Sequence, residues 1–459
     1  MQEAISDHRP VAAEEEEDKD TGLPAEILFQ IIDKMDCKSS LYQASLVSQA
    51  WSKEVQPILF RRVEIDFKPL STWDFNGGAR TCPTPSAACS RITCLLALIQ
   101  SNPKLGGYIR ELTLKGDTKG CTYVLNECAG KLSALASSLT HLGTLRINWW
   151  DFATLSHSED WWMTALTDET RTTIGRLCSL PSLTEIRIYP SLAVPDDIWA
   201  VNPSLKVLQI EGREAFRPEG DARTGKYPSL KTLSLNRIDR ADYLPNFFRR
   251  HSPLLLSLND LEISGNASFH PQVTDILQSL RGTLTRFSGR SSLYSWSAST
   301  DPNAPLNGIE FSGMRSLRSV SLDWRSVDLT DKAPPALLQT LSTIPWDQIE
   351  EVHIAYAPFS PGNAAREAPT YDPRPNTREI DALLARYTPP LPGTPSSSSS
   401  QPGKLRNISL QVVFRDIPST TRYQNFTAQE LAPQLFEQAA SLKACGDPIK
   451  LEVRYGKDR

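Results

Sequence analysis

A short phrase recurs along this chain and constrains its fold more than any other feature. Pro181-Ser182-Leu183, Pro203-Ser204-Leu205 and Pro228-Ser229-Leu230 are each followed by aliphatic residues three and five positions beyond the leucine. The copies end in Ile186 and Ile188, Leu208 and Ile210, and Leu233 and Leu235. Looser copies begin at Ile109, Leu142, Leu258, Leu317, Ile349 and Leu405. Leu284 opens a degraded copy, in which Phe287 is followed by Gly289 where an aliphatic is expected. The steps from 183 to 205, 205 to 230 and 230 to 258 are 22, 25 and 28 residues. Alternation inside each copy puts one face of a short strand inward, and one such unit cannot bury that face alone. The units must stack.

Strand-like L-x-x-L-x-L segments at this period predict an irregular leucine-rich-repeat solenoid, an α/β fold of parallel strands with covering helices. Three helical faces fit between the strands: Leu125, Leu132, Leu135 and Leu139; Val273, Ile276, Leu277 and Leu280; Leu337, Leu338, Leu341 and Ile344. A last helix over 428–444 starts at the capping box Thr427 and Glu430 and carries the stripe Leu431, Leu435, Ala439 and Leu442. Steps before 183 and after 284 lengthen to 32 residues or more, so the array is uneven. The sequence divides into an acidic tail expected to be disordered (1–20), a helical segment (21–66), a linker with a polar loop (67–104) and the solenoid (105–455). A Pro- and Ser-rich insertion (358–403) resists packing.

Composition narrows the function classes. Lysine and arginine number 49 against 53 acidic residues, a formal charge of -4. That balance lacks the basic excess of a nucleic-acid binder, and no nucleic-acid partner is expected. No apolar run is long enough to cross a bilayer, so no membrane partner is expected either. The eight cysteines are scattered singly, without CxxC pairs or histidines at ligand spacing. Free thiols in a reducing compartment, cytoplasmic or nuclear, fit that pattern, and no metal site is expected.

The segment from Leu23 to Ile65 reads as short helices. Pro24 suits a first helical position, and Ile27, Leu28, Ile31, Ile32 and Met35 follow at helical spacing. Ser39 or Ser40 is placed to cap a second helix carrying Leu41, Ala44 and Leu46. Ser48 is placed to cap a third, with Trp51 and Val55, which Pro57 is expected to end early. Roughly 40 residues of short helix bury too little surface to stand alone. Adjacent apolar pairs widen the first helix's apolar sector beyond one internal face. That surface requires the solenoid or another chain.

Leu23-Pro24, Glu26-Ile27-Leu28, Ile31, Leu41, Leu46-Val47-Ser48 and Trp51, with the trailing Leu59-Phe60-Arg61 and Val63, occur in order over 43 of 459 residues (23 to 65). In these positions the segment resembles an F-box. The resemblance implies that Leu23, Pro24, Ile27, Leu28, Ile31, Leu46, Val47 and Trp51 dock a Skp-family adaptor and, through it, a cullin. It implies a substrate receptor of an SCF-type (Skp/cullin/F-box) ubiquitin ligase, with the solenoid holding a target protein and no cofactor required. The competing readings are a scaffold or interaction protein using the solenoid alone, and an enzyme framed on the solenoid.

On the solenoid, the outward strand positions are expected to line a concave face. They include Arg146, Asn148, Arg187, Tyr189, Gln209, Glu211, Ser234, Asn236, Glu262, Ser321, Asp323 and His353, with Trp149, Trp324 and Tyr356 one residue further along. Arg146, Trp149, Arg187, Tyr189, Asp323, Trp324, His353 and Tyr356 are the candidate target contacts, since Arg, Trp and Tyr favour binding hot spots. No P-loop, G-x-S-x-G or H-E-x-x-H motif is present, and the six histidines are dispersed. No catalytic residue is assigned, and the chain is not expected to be an enzyme.

Overall fold

The computed structural model describes residues 27, 30–32, 34–35, 37–67, 87–116, 119–149, 166–189, 194–195, 202–211, 216–217, 229–238, 248–249, 252–266, 270–292, 308–326, 335–358, 407–415 and 449–456. The insertion at 358–403 and the helix expected over 428–444 therefore lie outside the described residues, apart from Pro358 at the end of a strand.

At the N-terminus, residues 27 and 30–32 are helical, followed by α1 (Lys38–Ser45) and α2 (Gln49–Leu59). The cap of α1 is Cys37, whose sulfur accepts from Ser40 N–H, and not either serine. Ser48 caps α2 as expected, accepting from Trp51 N–H at 3.3 Å. Pro57 does not end α2 early. It falls in the last turn, where it forfeits one backbone hydrogen bond, and the helix runs on until Phe60 N–H reaches Gln56 O. Ile32, Leu41, Ala44 and Val55 form a small core of their own, with Met35, Trp51 and Leu59 packed against it.

The strands are β1 (Arg62–Asp66), β2 (Glu111–Gly116), β3 (Thr144–Trp149), β4 (Glu185–Tyr189), β5 (Val194–Pro195), β6 (Val207–Glu211), β7 (Phe216–Arg217), β8 (Thr232–Ile238), β9 (Asp260–Asn266), β10 (Arg286–Ser292), β11 (Ser319–Ser326), β12 (Glu351–Pro358), β13 (Asn407–Arg415) and β14 (Ile449–Gly456). Among the described residues, twelve of them form one parallel sheet in chain order, and β5 pairs separately with β7. The sheet begins at Arg62, three residues after α2 ends, earlier than a solenoid opening at 105 would have it. Residues expected to be linker contain α3 (Ala87–Ser101) and the first residue of α4 (Lys104–Tyr108).

Parallel pairing requires crossovers, and helices fill several: α5 (Lys119–Glu127), α6 (Ala129–Ser138), α7 (Asp168–Cys178), α8 (Ser252–Leu255), α9 (His270–Ser279) and α10 (Pro335–Ser342). The face expected from Leu125 to Leu139 is divided between α5 and α6 at Cys128. The two apolar positions of each repeat align across the sheet. Leu112, Leu145, Ile186, Leu208, Leu233, Leu261, Phe287, Val320 and Val352 are register neighbours in one row. All are buried, against Ile92, Leu132, Leu177, Leu277, Leu341 and other helix residues in one continuous core. Each such side chain contributes roughly 1.5–3 kcal/mol by leaving water.

A second device repeats with the strands. The carbonyl of the residue just before a strand accepts two successive N–H groups from the next repeat. Arg110 and Glu111 donate to Arg61 O, Gly143 and Thr144 to Arg110 O, Thr184 and Glu185 to Gly143 O, and Lys206 and Val207 to Thr184 O. The pattern continues through Lys206, Lys231, Asn259, Thr285 and Arg318 as acceptors, at 2.7–3.1 Å.

Local departures have physical causes. At the degraded repeat, a Cβ on Gly289 would lie 2.8 Å from Phe287 Cε1. The Phe287 ring fills the space of the missing aliphatic and meets Phe311 edge-on, centroids 5.2 Å apart. Before β11, residues 308–311 are held by side chains of α9, α10 and the turn after α10: Gly308, Ile309, Glu310 and Phe311 N–H donate to Gln339, Thr340, Thr274 and Thr343. Between β4 and β6, the fully buried Asn202 donates to the carbonyls of Cys178, Leu180 and Leu183 and accepts from Ser204 N–H. The expectation of free thiols fails at one pair, because Cys89 on α3 and Cys128 between α5 and α6 form a disulfide. Their Cα atoms, 5.6 Å apart, are brought together by the packing of α3 on the first repeats.

Two stability changes are expected in urea unfolding. Asn202→Ala should lose about 3 kcal/mol, since buried carbonyls lose their donor. Gly289→Leu should lose about 2 kcal/mol by overpacking, and adding Phe287→Leu should recover most of it.

Candidate interaction surfaces

The N-terminal helices carry apolar side chains that their small core does not absorb. Ile27 is 41% exposed, Ile31 37%, Leu46 64% and Val47 65%. Leu46 and Val47 occupy the turn between α1 and α2, where neither helix shields them. Trp51 is half-buried against the small core, so its ring supports the helices as well as reaching the surface. Leu23, Pro24 and Leu28 lie outside the described residues. Tyr42 and Ile58 are also exposed. Spacing alone does not single them out, and their one sequence hint is that Tyr42 adjoins Leu41 of the small core and Ile58 adjoins Leu59, which packs against it. In all, six of the nine large hydrophobics exposed among the described residues lie between 27 and 58.

The second surface is the sheet face turned away from the helices. Strand alternation leaves its side chains half-exposed, as in the pattern of β2, β4 and β6. The expected target contacts divide into two groups. Arg146 and Arg187 are register partners on β3 and β4, beside Tyr189. Asp323 and His353 lie on β11 and β12, where Trp324 pairs in register with Tyr356. Five strand steps separate β4 from β11 in the sheet order, about 24 Å at the usual interstrand spacing. The side chains of Trp149, Trp324 and Tyr356 lie outside the described residues.

Charges on this face are answered mostly from neighbouring strands. Glu111 sits between Arg62 at 3.3 Å and Arg146 at 3.0 Å. Lys115 lies 3.7 Å from Glu64, Arg286 lies 3.6 Å from Asp260, and Arg290 lies 2.7 Å from Asp323. Arg187 pairs with Glu185, which also accepts from Thr144 Oγ1 at 3.0 Å. Burial lowers the Arg187 pKa, but hydrogen bonding and charge from Glu185 and Tyr189 outweigh it and hold the value above normal. In the centre, Asn236 Nδ2 donates to Ser234 Oγ, which donates to Glu262. Exposed pairs of this kind add little stability individually. Their effect is to leave the face without a single-sign field.

Among the described residues, no cluster of three His, Cys, Asp or Glu side chains could hold a metal ion, and no helix is long and apolar enough to cross a membrane. No protein-family model matches the chain, and no curated protein matches it.

The cysteines differ sharply in chemistry. Cys94 is an exposed thiol, whereas Cys178 is buried and desolvation pushes its pKa up to about 12. Raising the pKa keeps the thiol protonated, and the thiolate is the nucleophile. In the native protein at pH 8, iodoacetamide is expected to label Cys94 and spare Cys178 until the chain is unfolded, as read by peptide mass mapping.

Proposed function

We propose that this chain is the substrate-recognition subunit of an SCF-type ubiquitin ligase. Its N-terminal helices dock a Skp-family adaptor, and the open face of its solenoid holds the target protein. The observation that carries this reading is the exposure of Ile27, Ile31, Leu46 and Val47, four positions at which the sequence resembles an F-box. Exposed apolar groups concentrated on one small element are characteristic of a surface meant for a partner.

On this reading the chain catalyses nothing itself and needs no cofactor. Holding the target beside the transfer machinery makes ubiquitin transfer quasi-intramolecular, and effective concentration is its physical contribution. Neither nucleic acid nor membrane takes part, and the chain acts in the cytosol or nucleus, where the Cys89–Cys128 bond is expected to be reduced. Junction geometry supports the division of labour. Lys38 Nζ donates to Arg62 O at 3.2 Å, and α2 packs on α4, so the helices rest directly on the solenoid.

Affinity purification of the intact chain beside a Leu46→Asp, Val47→Asp variant tests the proposal. Both substituted side chains are exposed, so folding is expected to survive. Adaptor and cullin should be recovered with the intact chain and fall at least about tenfold with the variant, the effect of burying unpaired charge at an interface. Equal recovery, or recovery of neither from folded material, would remove the ligase reading and leave a free-standing interaction protein.

A further inference from the structure

The cleft between α8 and α9 stands apart from both surfaces above. Its volume is about 610 Å³, within the roughly 300–1,000 Å³ typical of small-molecule sites. Leu255, Leu256 and Ile276 supply an apolar wall. Leu256 is 77% exposed, the most exposed large hydrophobic among the described residues. Arg249 and Arg281 also line the cleft, and among the described residues neither side chain has an ion pair or hydrogen bond. Asp275 is the one carboxylate among the described lining residues, so the cleft carries net positive charge. Gly282 is an exposed lining residue, with nothing within 4 Å of where a Cβ would stand.

An apolar wall beside two guanidinium groups that outnumber the single carboxylate is complementary to an anion with an apolar body. We propose that this cleft binds a small, soluble amphipathic monoanion: an aromatic or aliphatic body bearing one carboxylate or sulfonate. Apolar burial supplies affinity, and charge-assisted hydrogen bonds to arginine select the anion. The proposal does not depend on the ligase reading.

Fluorescence titration of the intact chain with anilinonaphthalene sulfonate tests it, beside the neutral phenylnaphthylamine. One saturable site is expected for the sulfonate, with at least about tenfold weaker binding of the neutral dye. An Arg249→Ala, Arg281→Ala variant should weaken the sulfonate by a similar factor. Gly282→Trp should abolish binding by filling the cleft, with the unfolding midpoint unchanged. Should Gly282→Trp not fold, the arginine variant decides. Leu46→Asp with Val47→Asp should leave dye affinity unaltered. Equal affinity for both dyes, full binding by the arginine variant, or loss confined to the Leu46 and Val47 variant would overturn the proposal and place the dye elsewhere.

Discussion

The structure depends on a single backbone arrangement repeated from Arg61 to Arg318: one carbonyl at each strand entry receives two N–H groups from the next repeat. The buried residue immediately before that carbonyl, such as Leu142, Leu183, Leu205 or Leu230, fixes its depth. Once the carbonyl is placed, the next strand can enter in only one register. A slip of one residue would turn every aliphatic outward. Register is thus set at the strand entrance and is insensitive to the length of chain between strands. This explains how repeats of 22 residues and repeats well over 32 share one sheet.

The same alignment governs the outer face. Because equivalent positions fall side by side, most of the paired charges meet their counterparts one strand away. Glu111 finds Arg62 and Arg146, and Arg290 finds Asp323. Residues half the sheet apart, such as Arg187 and Asp323, cannot cooperate on a small ligand. An extended protein surface could touch both groups. A sheet with lateral neutralisation would discriminate between ligands by shape and hydrogen-bond pattern more than by net charge.

Much of this was legible in the sequence because its signal is periodic. The L-x-x-L-x-L copies located ten strands from Ile109 onward, and alternation assigned their faces. Features set by contacts between distant residues were not. Phe287 and Gly289 look like decay in sequence, whereas in space one ring occupies two places. The disulfide from Cys89 to Cys128 depends on how α3 crosses the first helices, which no spacing rule encodes. Asn202 resembles a loop polar residue until its three carbonyl acceptors are assembled around it. At the N-terminus, Phe60-Arg61-x-Val63 has the cadence of a repeat entry, but its adjacency to the helical segment obscured that reading. For the candidate surfaces, the sequence supplied Leu46 and Val47, while Tyr42 and Ile58 required knowing which helix faces the small core leaves uncovered.

The N-terminal helices show why such a surface can persist without collapsing. Four buried side chains are too few to hold α1 and α2 in place independently, and small units of this kind are marginal alone. What completes them is the parallel sheet and its helices. Phe60 and Val63 pack into the main core, and Arg61 O is the first acceptor of the repeat-entry series. Since the ordering of α2 is fixed at its C-terminal end, the turn at Leu46 and Val47 is not required for packing. Those residues are released from the core's demands by the sheet, and their exposed apolar character is therefore available for recognition rather than for folding.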